Sequence, residues 1–140
     1  MSARHKGRKR ALDVLYAADV RDAPVSEVLE QERLRAANEP DRQASWELAE
    51  SLVLAVITHD EAINSLISEV SHWPVDRMPA LDRALVRLAA AELTAFPDTP
   101  TAVVISEAGE LASEYSTEES RGFLQGVLGT LAEKIRHSAS

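Results

Sequence analysis

Apolar residues recur at helical spacing along almost the whole of this 140-residue chain, and this periodicity limits the fold more than any other feature. Alternating apolar and polar stretches, which are typical of half-buried strands, are short. Alanine is abundant and runs of β-branched residues are few, which also favours helices. The sequence therefore predicts an all-α protein.

Prolines and turn residues divide the pattern into six or seven helices. The first is expected to end before Pro24, which opens a second. The longest pattern covers 41–70 and ends at His72-Trp73-Pro74, because the residue before a proline is pushed out of the helical region. A fourth helix is expected from about Pro79, and a fifth covers 101–115.

Ser116 and Glu119 have the S-x-x-E spacing of a capping box, which predicts the start of the last helix. No low-complexity linker occurs, although residues 74–79 suit a boundary between two halves. The side chains expected to face the core are Leu12, Leu15, Tyr16, Val20, Val25, Val28, Leu29, Trp46, Ala49, Val53, Val56, Ile57, Ile63, Ile67, Val70, Leu81, Leu85, Leu88, Ala89, Val104, Ile105, Ala108, Leu111, Tyr115, Phe123, Val127, Leu128, Leu131 and Ile135.

The residue types that carry most enzyme chemistry are absent or scattered. There is no cysteine, which excludes disulfides, thiolate metal sites and a cysteine nucleophile. The four histidines lack metal-ligand spacing, and no pair of carboxylates stands out for acid–base catalysis. Gly122, Gly126 and Gly129 do not form a phosphate loop, and their spacing predicts a helix or partner packed close to them. We therefore predict a protein that is not an enzyme and that binds no metal or cofactor.

No segment has the length of a membrane span. The longest strongly apolar stretch, SLVLAVIT at 51–58, is far shorter than the roughly 20 residues that a spanning helix needs. Asp13 and Asp19 interrupt the first apolar segment, so no secretory signal is visible. The sequence predicts no membrane contact of this kind and a cytoplasmic location.

Charge is distributed unevenly along a chain whose net charge is -8. Five of the 15 Lys and Arg residues lie in 1–10, which holds no acid, so 11–140 carries ten basic and 23 acidic residues. Such asymmetry is typical of contact with nucleic acid, although a solubilising tail has the same composition. We expect a basic arm that folds on single-stranded RNA, formed by Arg4, Lys6, Arg8, Lys9 and Arg10.

A second group of charges lies on the fourth helix, where Asp82, Arg83 and Arg87 share one broad side. Guanidinium groups suit phosphates and guanine edges, although local ion pairs on a solvated face give the same pattern. Tyr16 and Phe123 offer flat faces for unstacked bases. Both also fit the core stripes of their helices, so burial is the alternative for each.

Three segments resemble the NusB family of transcription antitermination factors. GRKRALDVLYAADV, at 7–20, is similar to the family's R-x-x-A-x-x-x-L-Y opening. WPVDRMPALDRALVRLAAAEL, at 73–93, is similar to W-x-x-x-R-L-x-x-x-D/E-R-A-I-L-R-x-A-x-x-E-L. TPTAVVISEAGELASEYSTEESRGFLQGVL, at 99–128, is similar to P-x-x-V-x-I-N-E-A-V-E-L-A-K-x-F-x-x-E-D-S-x-x-F-V-N-G-V-L-D. The resemblance spans essentially the whole chain and is weakest at 21–45.

The resemblance implies an all-helical domain over 1–140, made of two small antiparallel bundles at about 1–75 and 76–140. It implies a non-catalytic factor that binds the BoxA element of nascent RNA, chiefly ribosomal RNA transcripts. The implied protein partner is NusE, which is also a protein of the small ribosomal subunit. Together they would make RNA polymerase resist termination. Some family members self-associate, so the resemblance is compatible with either a monomer or a homodimer of this chain.

The resemblance also implies roles for individual residues. Glu119 and Ser120 match an acidic-Ser pair near the NusE-facing region. Taken with the charge pattern, the implied RNA contacts are Arg4, Lys6, Arg8, Lys9, Arg10, Tyr16, Asp82, Arg83, Arg87 and Phe123. The departures from the family pattern are Asp13 for Gln, Ser106 for Asn, Ser113 for Lys, Gln125 for Asn and Gly129 for Asp. These departures bear on RNA affinity more than on the fold.

Two other functions fit parts of the sequence. One is a helical protein-interaction scaffold with only non-specific RNA affinity. If all five arm cations displaced counterions from RNA, the logarithm of the binding constant would fall with the logarithm of salt concentration with a slope of about -3.5. A scaffold would lack this salt dependence. The other is the RNA-binding domain of an RNA methyltransferase, which the absence of a Gly-rich strand-turn-helix motif disfavours.

Overall fold

The computed structural model describes residues 2–71 and 74–137, which form seven α-helices, two short 3-10 turns and no strand. The 3-10 turns are Pro40–Arg42 and Val75–Arg77. The predicted all-α class is confirmed, whereas the helix end predicted at His72-Trp73 lies outside the described residues. The helices are α1 (Ala3–Arg21), α2 (Val25–Ala36), α3 (Gln43–Thr58), α4 (Asp60–Val70), α5 (Ala80–Ala95), α6 (Thr101–Tyr115) and α7 (Glu118–His137).

The chain divides into two compact units, residues 1–58 and 59–140. In the first unit, α1 packs against α2 and α3, and α2 packs against α3. In the second, α5, α6 and α7 pack against one another, and α4 packs on α5 and α7. The division lies after Thr58 rather than near residue 75, because α4 shares its core with α5 and α7.

The long helix predicted over 41–70 is wrong, because it is broken at His59, whose backbone leaves the helical region at φ -106° and ψ 19°. Asp60 and Glu61 then occupy the first turn of α4, where carboxylates interact favourably with the helix dipole. Asp60 also accepts hydrogen bonds from Asn64 and Arg87 within the second unit. These local and tertiary contacts stabilise a new helix start that apolar periodicity does not reveal.

The expected basic arm is wrong as a separate element, because residues 3–10 form the first turns of α1. Ser2 caps the helix by accepting a hydrogen bond from the His5 backbone N–H at 3.1 Å. His5, Gly7 and Arg8 are buried. A Cβ on Gly7 would lie 2.9 Å from Leu48 Cδ2. The absence of a side chain at Gly7 therefore lets α1 pack closely on α3.

We predict that Gly7→Ala lowers the free energy of unfolding by about 1–2 kcal/mol, because overpacking outweighs the better helix propensity of alanine. The added methyl would also meet the Ser45 carbonyl oxygen at 3.0 Å, and backbone cannot move aside easily. Gly126→Ala is the matched control, since a Cβ there meets nothing within 4 Å. The control should gain about 1 kcal/mol. Urea denaturation followed by circular dichroism measures both, and a gain for Gly7→Ala would contradict this packing.

Most of the expected core residues are buried, and several of the exceptions lie near helix ends. Val20 is 62% exposed, Ile57 38% and Tyr115 44%, so their predicted inward positions are wrong. Each lies within the last turn of its helix. Tyr16 is also exposed, although it lies well within α1. Among the described residues, no helix combines the length and apolar character that a bilayer crossing needs.

The start of α7 differs by one residue from the predicted capping box. Thr117 Oγ1 accepts a hydrogen bond from the Ser120 backbone N–H at 3.0 Å, so Thr117 rather than Ser116 caps the helix. The Ser116 hydroxyl instead donates to the Asp82 carboxylate, a tertiary contact that a local motif cannot predict. Leu124 is fully buried on α7, whereas Phe123 is only half-buried.

Candidate nucleic-acid interface

The solvent-facing side of α1 carries cations and an aromatic ring at helical spacing. We define the α1 stripe as Lys6, Lys9, Asp13, Tyr16 and Val20, which recur every three or four residues. Tyr16 is 42% exposed, so the burial that its apolar neighbours suggested is wrong. A phenol ring on the same side of a helix as two ammonium groups can stack on a base while the cations contact phosphates.

The five N-terminal cations have different environments. Arg4 and Lys6 are exposed. Arg8 is only 4% exposed, so it is held within the fold of the free protein. Lys9 lies 3.6 Å from Asp13, and Arg10 Nη2 lies 3.8 Å from Glu39 Oε2. Arg4 and Lys6 are therefore the arm residues most accessible to a ligand.

Asp13, which stands where the family pattern has Gln, introduces a carboxylate among these cations. Its side chain keeps 64% of its surface exposed, yet its neighbours crowd the carboxyl group. Desolvation raises the pKa of Asp13 above 3.8, although the charge of Lys9 lowers it and Glu32 raises it further. The folded protein therefore disfavours the ionised form.

We expect Asp13→Asn to be more stable than the parent chain near neutral pH. Because the pKa of Asp13 is higher in the folded state, ionisation opposes folding above that pKa. This penalty is lost as the pH falls through the raised pKa towards 3.8, so the two proteins should converge there. Urea denaturation at pH 7 and at pH 4 measures the difference. A variant that is less stable at pH 7 would mean that the Lys9 pair outweighs the desolvation.

In the second unit, Asp82 organises a buried cluster of hydroxyl groups. Asp82 is 5% exposed and accepts hydrogen bonds from Ser120 Oγ at 3.1 Å and Ser116 Oγ at 3.3 Å. The Ser116 hydroxyl also lies 3.0 Å from Ser120 Oγ. This cluster ties the first turn of α5 to the junction of α6 and α7. Glu119, the other residue of the acidic-Ser pair, is exposed.

Arg83 and Arg87 are both engaged within the second unit. Arg83 Nη1 donates to the carbonyl oxygens of Val75 at 3.2 Å and Met78 at 3.1 Å. Arg87 Nη2 donates to Asp60 Oδ1 at 3.1 Å, and its side chain is 15% exposed. Replacing either residue would remove contacts of the fold, so a loss of RNA binding in such variants would not by itself identify an RNA contact.

Phe123 lies in a groove of about 700 Å³ between the end of α4, the start of α5 and α7. Its apolar walls include Val70, Pro79 and Val127. A Cβ on Gly122 or on Gly126 would meet no atom within 4 Å, so these glycines leave the groove open. The helix predicted to pack on the glycine stripe is therefore not found among residues 74–137. An aromatic ring in an open apolar groove suits an unstacked base.

The structure brings together some of the predicted residues and separates others. In the second unit, Asp82, Glu119, Ser120 and Phe123 line the same groove, whereas Arg83 and Arg87 do not line it. Sequence reasoning did not predict the groove itself. The signal for it is the i, i+4 spacing of Gly122 and Gly126 on either side of Phe123, a spacing that equally predicts a packing face.

Known proteins similar to this chain share its length and fold. The sequence model described as the NusB family matches residues 5–133. The transcription antitermination protein NusB of Clavibacter michiganensis is 47% identical over 133 residues, covering 94% of this chain and 97% of the relative.

Two solved structures have the same architecture. One is a crystal structure of the antitermination factors NusB and NusE in complex with double-stranded RNA. Its TM-score is 0.82 at 29% identity, and the match covers 96% of this chain and 98% of the other. The solution structure of NusB from Aquifex aeolicus has a TM-score of 0.76 and 28% identity, covering 100% and 93%. On the family match and the identity over nearly its full length, this chain belongs to the NusB family.

Proposed function

We propose that this protein is a transcription antitermination factor that binds BoxA RNA of nascent transcripts, chiefly ribosomal RNA, together with NusE. The observation that supports this most is 47% identity, over 94% of the chain, to a NusB transcription antitermination protein. The similar structure that contains NusB, NusE and RNA supports RNA and NusE as the ligands. The protein binds rather than reacts, and it acts in the cytoplasm, where transcripts emerge.

The exposed groups divide the proposed RNA contacts into two kinds. Arg4 and Lys6 contact phosphates, which contributes affinity without reading sequence. Tyr16 on α1 and Phe123 in the groove stack on unpaired bases, which holds a single strand in an unstacked form. The base edges then become available for recognition.

The Asp82 cluster has a positioning role in this proposal. Two hydroxyl groups fix the Asp82 carboxylate at the edge of the groove that holds Phe123. A carboxylate held in this way accepts hydrogen bonds from a base amino group and repels a phosphate. Glu119 is exposed beside it and is the proposed contact with NusE. RNA and NusE would therefore bind close to one another on the second unit.

Transcription in vitro through a terminator tests the function. The template carries BoxA upstream of the terminator, and the reaction contains RNA polymerase, NusE and the remaining elongation factors. We expect read-through to rise when this protein is added, and to remain at its basal level when BoxA is scrambled. Equal read-through on both templates would contradict BoxA-dependent antitermination.

A further inference from the structure

The first unit contains a cleft that the proposed RNA contacts leave largely unused. Of its lining residues, Lys9 and Arg10 belong to the N-terminal cations predicted to contact RNA. The cleft has a volume of about 400 Å³ and lies between α1, α2 and the 3-10 turn that precedes α3. This size lies within the range of small-molecule sites. Its apolar lining residues are Val14, Ala17, Val28, Ala36 and Trp46.

The charged residues around the cleft are unusual for this chain. Three of its cations, Arg21, Arg35 and Arg42, come from the acidic body, which carries only ten basic residues in total. The lining cations are Lys9, Arg10, Arg21, Arg35 and Arg42, and the lining carboxylates are Asp13, Glu32 and Glu39. The cleft therefore has a net positive charge, whereas the body around it is strongly negative.

The contacts within the cleft are loose and leave donors available. Arg10 Nη2 and Arg42 Nη1 approach the same oxygen, Glu39 Oε2, at 3.8 and 3.3 Å. Arg35 Nη1 lies 3.5 Å from Glu32 Oε1, and the Arg35 side chain is 75% exposed. The Lys9–Asp13, Arg10–Glu39 and Arg35–Glu32 pairs are each 3.5 Å or longer, beyond the usual length of a charge-assisted hydrogen bond.

The position of Glu39 indicates what the cleft recognises. One anionic oxygen already lies between two guanidinium groups, which is the arrangement that a phosphate oxygen requires. Arg21 lines the same cleft, and Arg21 Nη1 donates to the neutral amide oxygen of Gln31 at 3.4 Å. Guanidinium groups bind phosphate through paired N–H donors, and five cations exceed what three carboxylates neutralise.

We propose that this cleft binds consecutive phosphate groups of a nucleotide, supplied either by a free nucleoside triphosphate or by an RNA strand. Arg10 and Arg42 hold one phosphate in exchange for Glu39, and Arg35 and Arg21 contact the next. If the phosphates belong to an RNA strand, the cleft is part of the RNA-binding surface and rests on the proposed function. If they belong to a free nucleotide, the cleft is a separate site that does not depend on that function.

Arg35 and Arg33 on α2 provide a matched pair of variants. Each forms an ion pair with the glutamate three residues before it, Glu32 and Glu30 respectively, and each is exposed. Arg35 lines the cleft and Arg33 does not. Arg35→Gln and Arg33→Gln therefore change the net charge equally, and only Arg35→Gln alters the lining of the cleft. Arg33→Gln also removes a 3.9 Å ion pair with Glu50 on α3. Arg35→Gln with Arg42→Gln extends the test to both sides of the cleft.

Isothermal titration of the full chain uses ATP, adenosine and an oligouridine RNA without BoxA. We expect Arg35→Gln to weaken binding of ATP or of the RNA about fivefold and the double variant about 30-fold, with less than a twofold effect of Arg33→Gln. If ATP responds, the source is a free nucleotide. If only the RNA responds, with a salt slope shallower by about 1.4 in the double variant, the source is a strand.

Glu39→Gln tests the same site in the opposite direction, because it removes the carboxylate that competes with phosphate. We expect tighter binding of whichever ligand responds. The proposal is overturned if Arg35→Gln and Arg33→Gln behave alike towards both ligands, or if adenosine binds as tightly as ATP. Because the RNA carries no BoxA, this result is independent of whether BoxA recognition is correct.

Discussion

Replacing Arg136 with methionine is expected to lower the free energy of unfolding by about 3 kcal/mol. The Arg136 guanidinium donates from Nε to the Leu93 carbonyl at 3.3 Å and from Nη2 to the Phe96 carbonyl at 3.1 Å. Its Nη1 donates to the Thr99 carbonyl at 2.7 Å and to Thr101 Oγ1 at 3.0 Å. One side chain of α7 thus holds the end of α5, the connecting loop and the start of α6.

The size of this effect follows from the kind of bond. Hydrogen bonds to a charged group are worth roughly 1.5–3 kcal/mol each, and water replaces part of that where the site is half-exposed. The cation also lies at the C-terminus of α5, where positive charge is favourable. Methionine keeps the apolar stem and removes the donors.

Lys134→Met is the control for Arg136→Met. Lys134 is on the same helix, and its ion pair with Glu69 at 3.2 Å is largely exposed, so the loss should be below about 1 kcal/mol. Urea denaturation of both variants, followed by circular dichroism, gives the comparison. Similar losses would show that the Arg136 contacts contribute no more than a surface ion pair.

The second large effect is expected on RNA binding when Arg4→Gln and Lys6→Gln are combined. Both side chains are exposed, so the substitutions should leave the fold intact. Each lost phosphate contact with a single strand reduces the log-log salt slope by roughly 0.7, which is about 1.4 for the pair. At low salt the affinity should fall about tenfold or more.

A control with the same net charge separates local contact from general attraction. Arg33→Gln with Lys134→Gln also removes two exposed cations, at 56% and 40% side-chain exposure, which belong to α2 and α7. We expect less than a threefold loss of affinity and an unchanged salt slope. An equal loss in both double variants would mean that RNA responds only to net charge.

Local sequence signals predicted the helices well and their breaks less well. Pro24 and residues 96–100 separate α1 from α2 and α5 from α6, because proline acts on the backbone wherever it occurs. The break at His59 has no such signal, since the apolar pattern continues across it. It depends on Asp60, which accepts a hydrogen bond from Arg87, a residue 27 positions further along the chain.

For the candidate site, the sequence indicates which residues to consider but not which of them are exposed. Charge predicted the N-terminal cations, but it could not distinguish exposed Lys6 from buried Arg8, because that depends on the packing of α1 on α3. The same periodicity places Leu12 in the core and leaves Tyr16 at the surface. Which side of a helix is covered is decided by its neighbours, and these are distant in sequence.

Contacts between elements account for the remaining differences. Asp82 meets Ser116 and Ser120 across 34 and 38 residues, and no local spacing indicates that these groups converge. Arg83 binds carbonyl groups of the 75–78 segment, although its sequence environment suggests a solvated face. Such pairings follow from the tertiary fold and become visible only there.

Fluorescence titration of a BoxA RNA and a scrambled RNA of equal length, with and without NusE, tests the central claim most directly. A duplex of the BoxA sequence is a third ligand, because the similar complex contains double-stranded RNA. We predict that the intact chain prefers single-stranded BoxA, that NusE tightens this preference, and that Arg4→Gln with Lys6→Gln weakens all binding. Equal affinity for BoxA and scrambled RNA in the presence of NusE would contradict the claim.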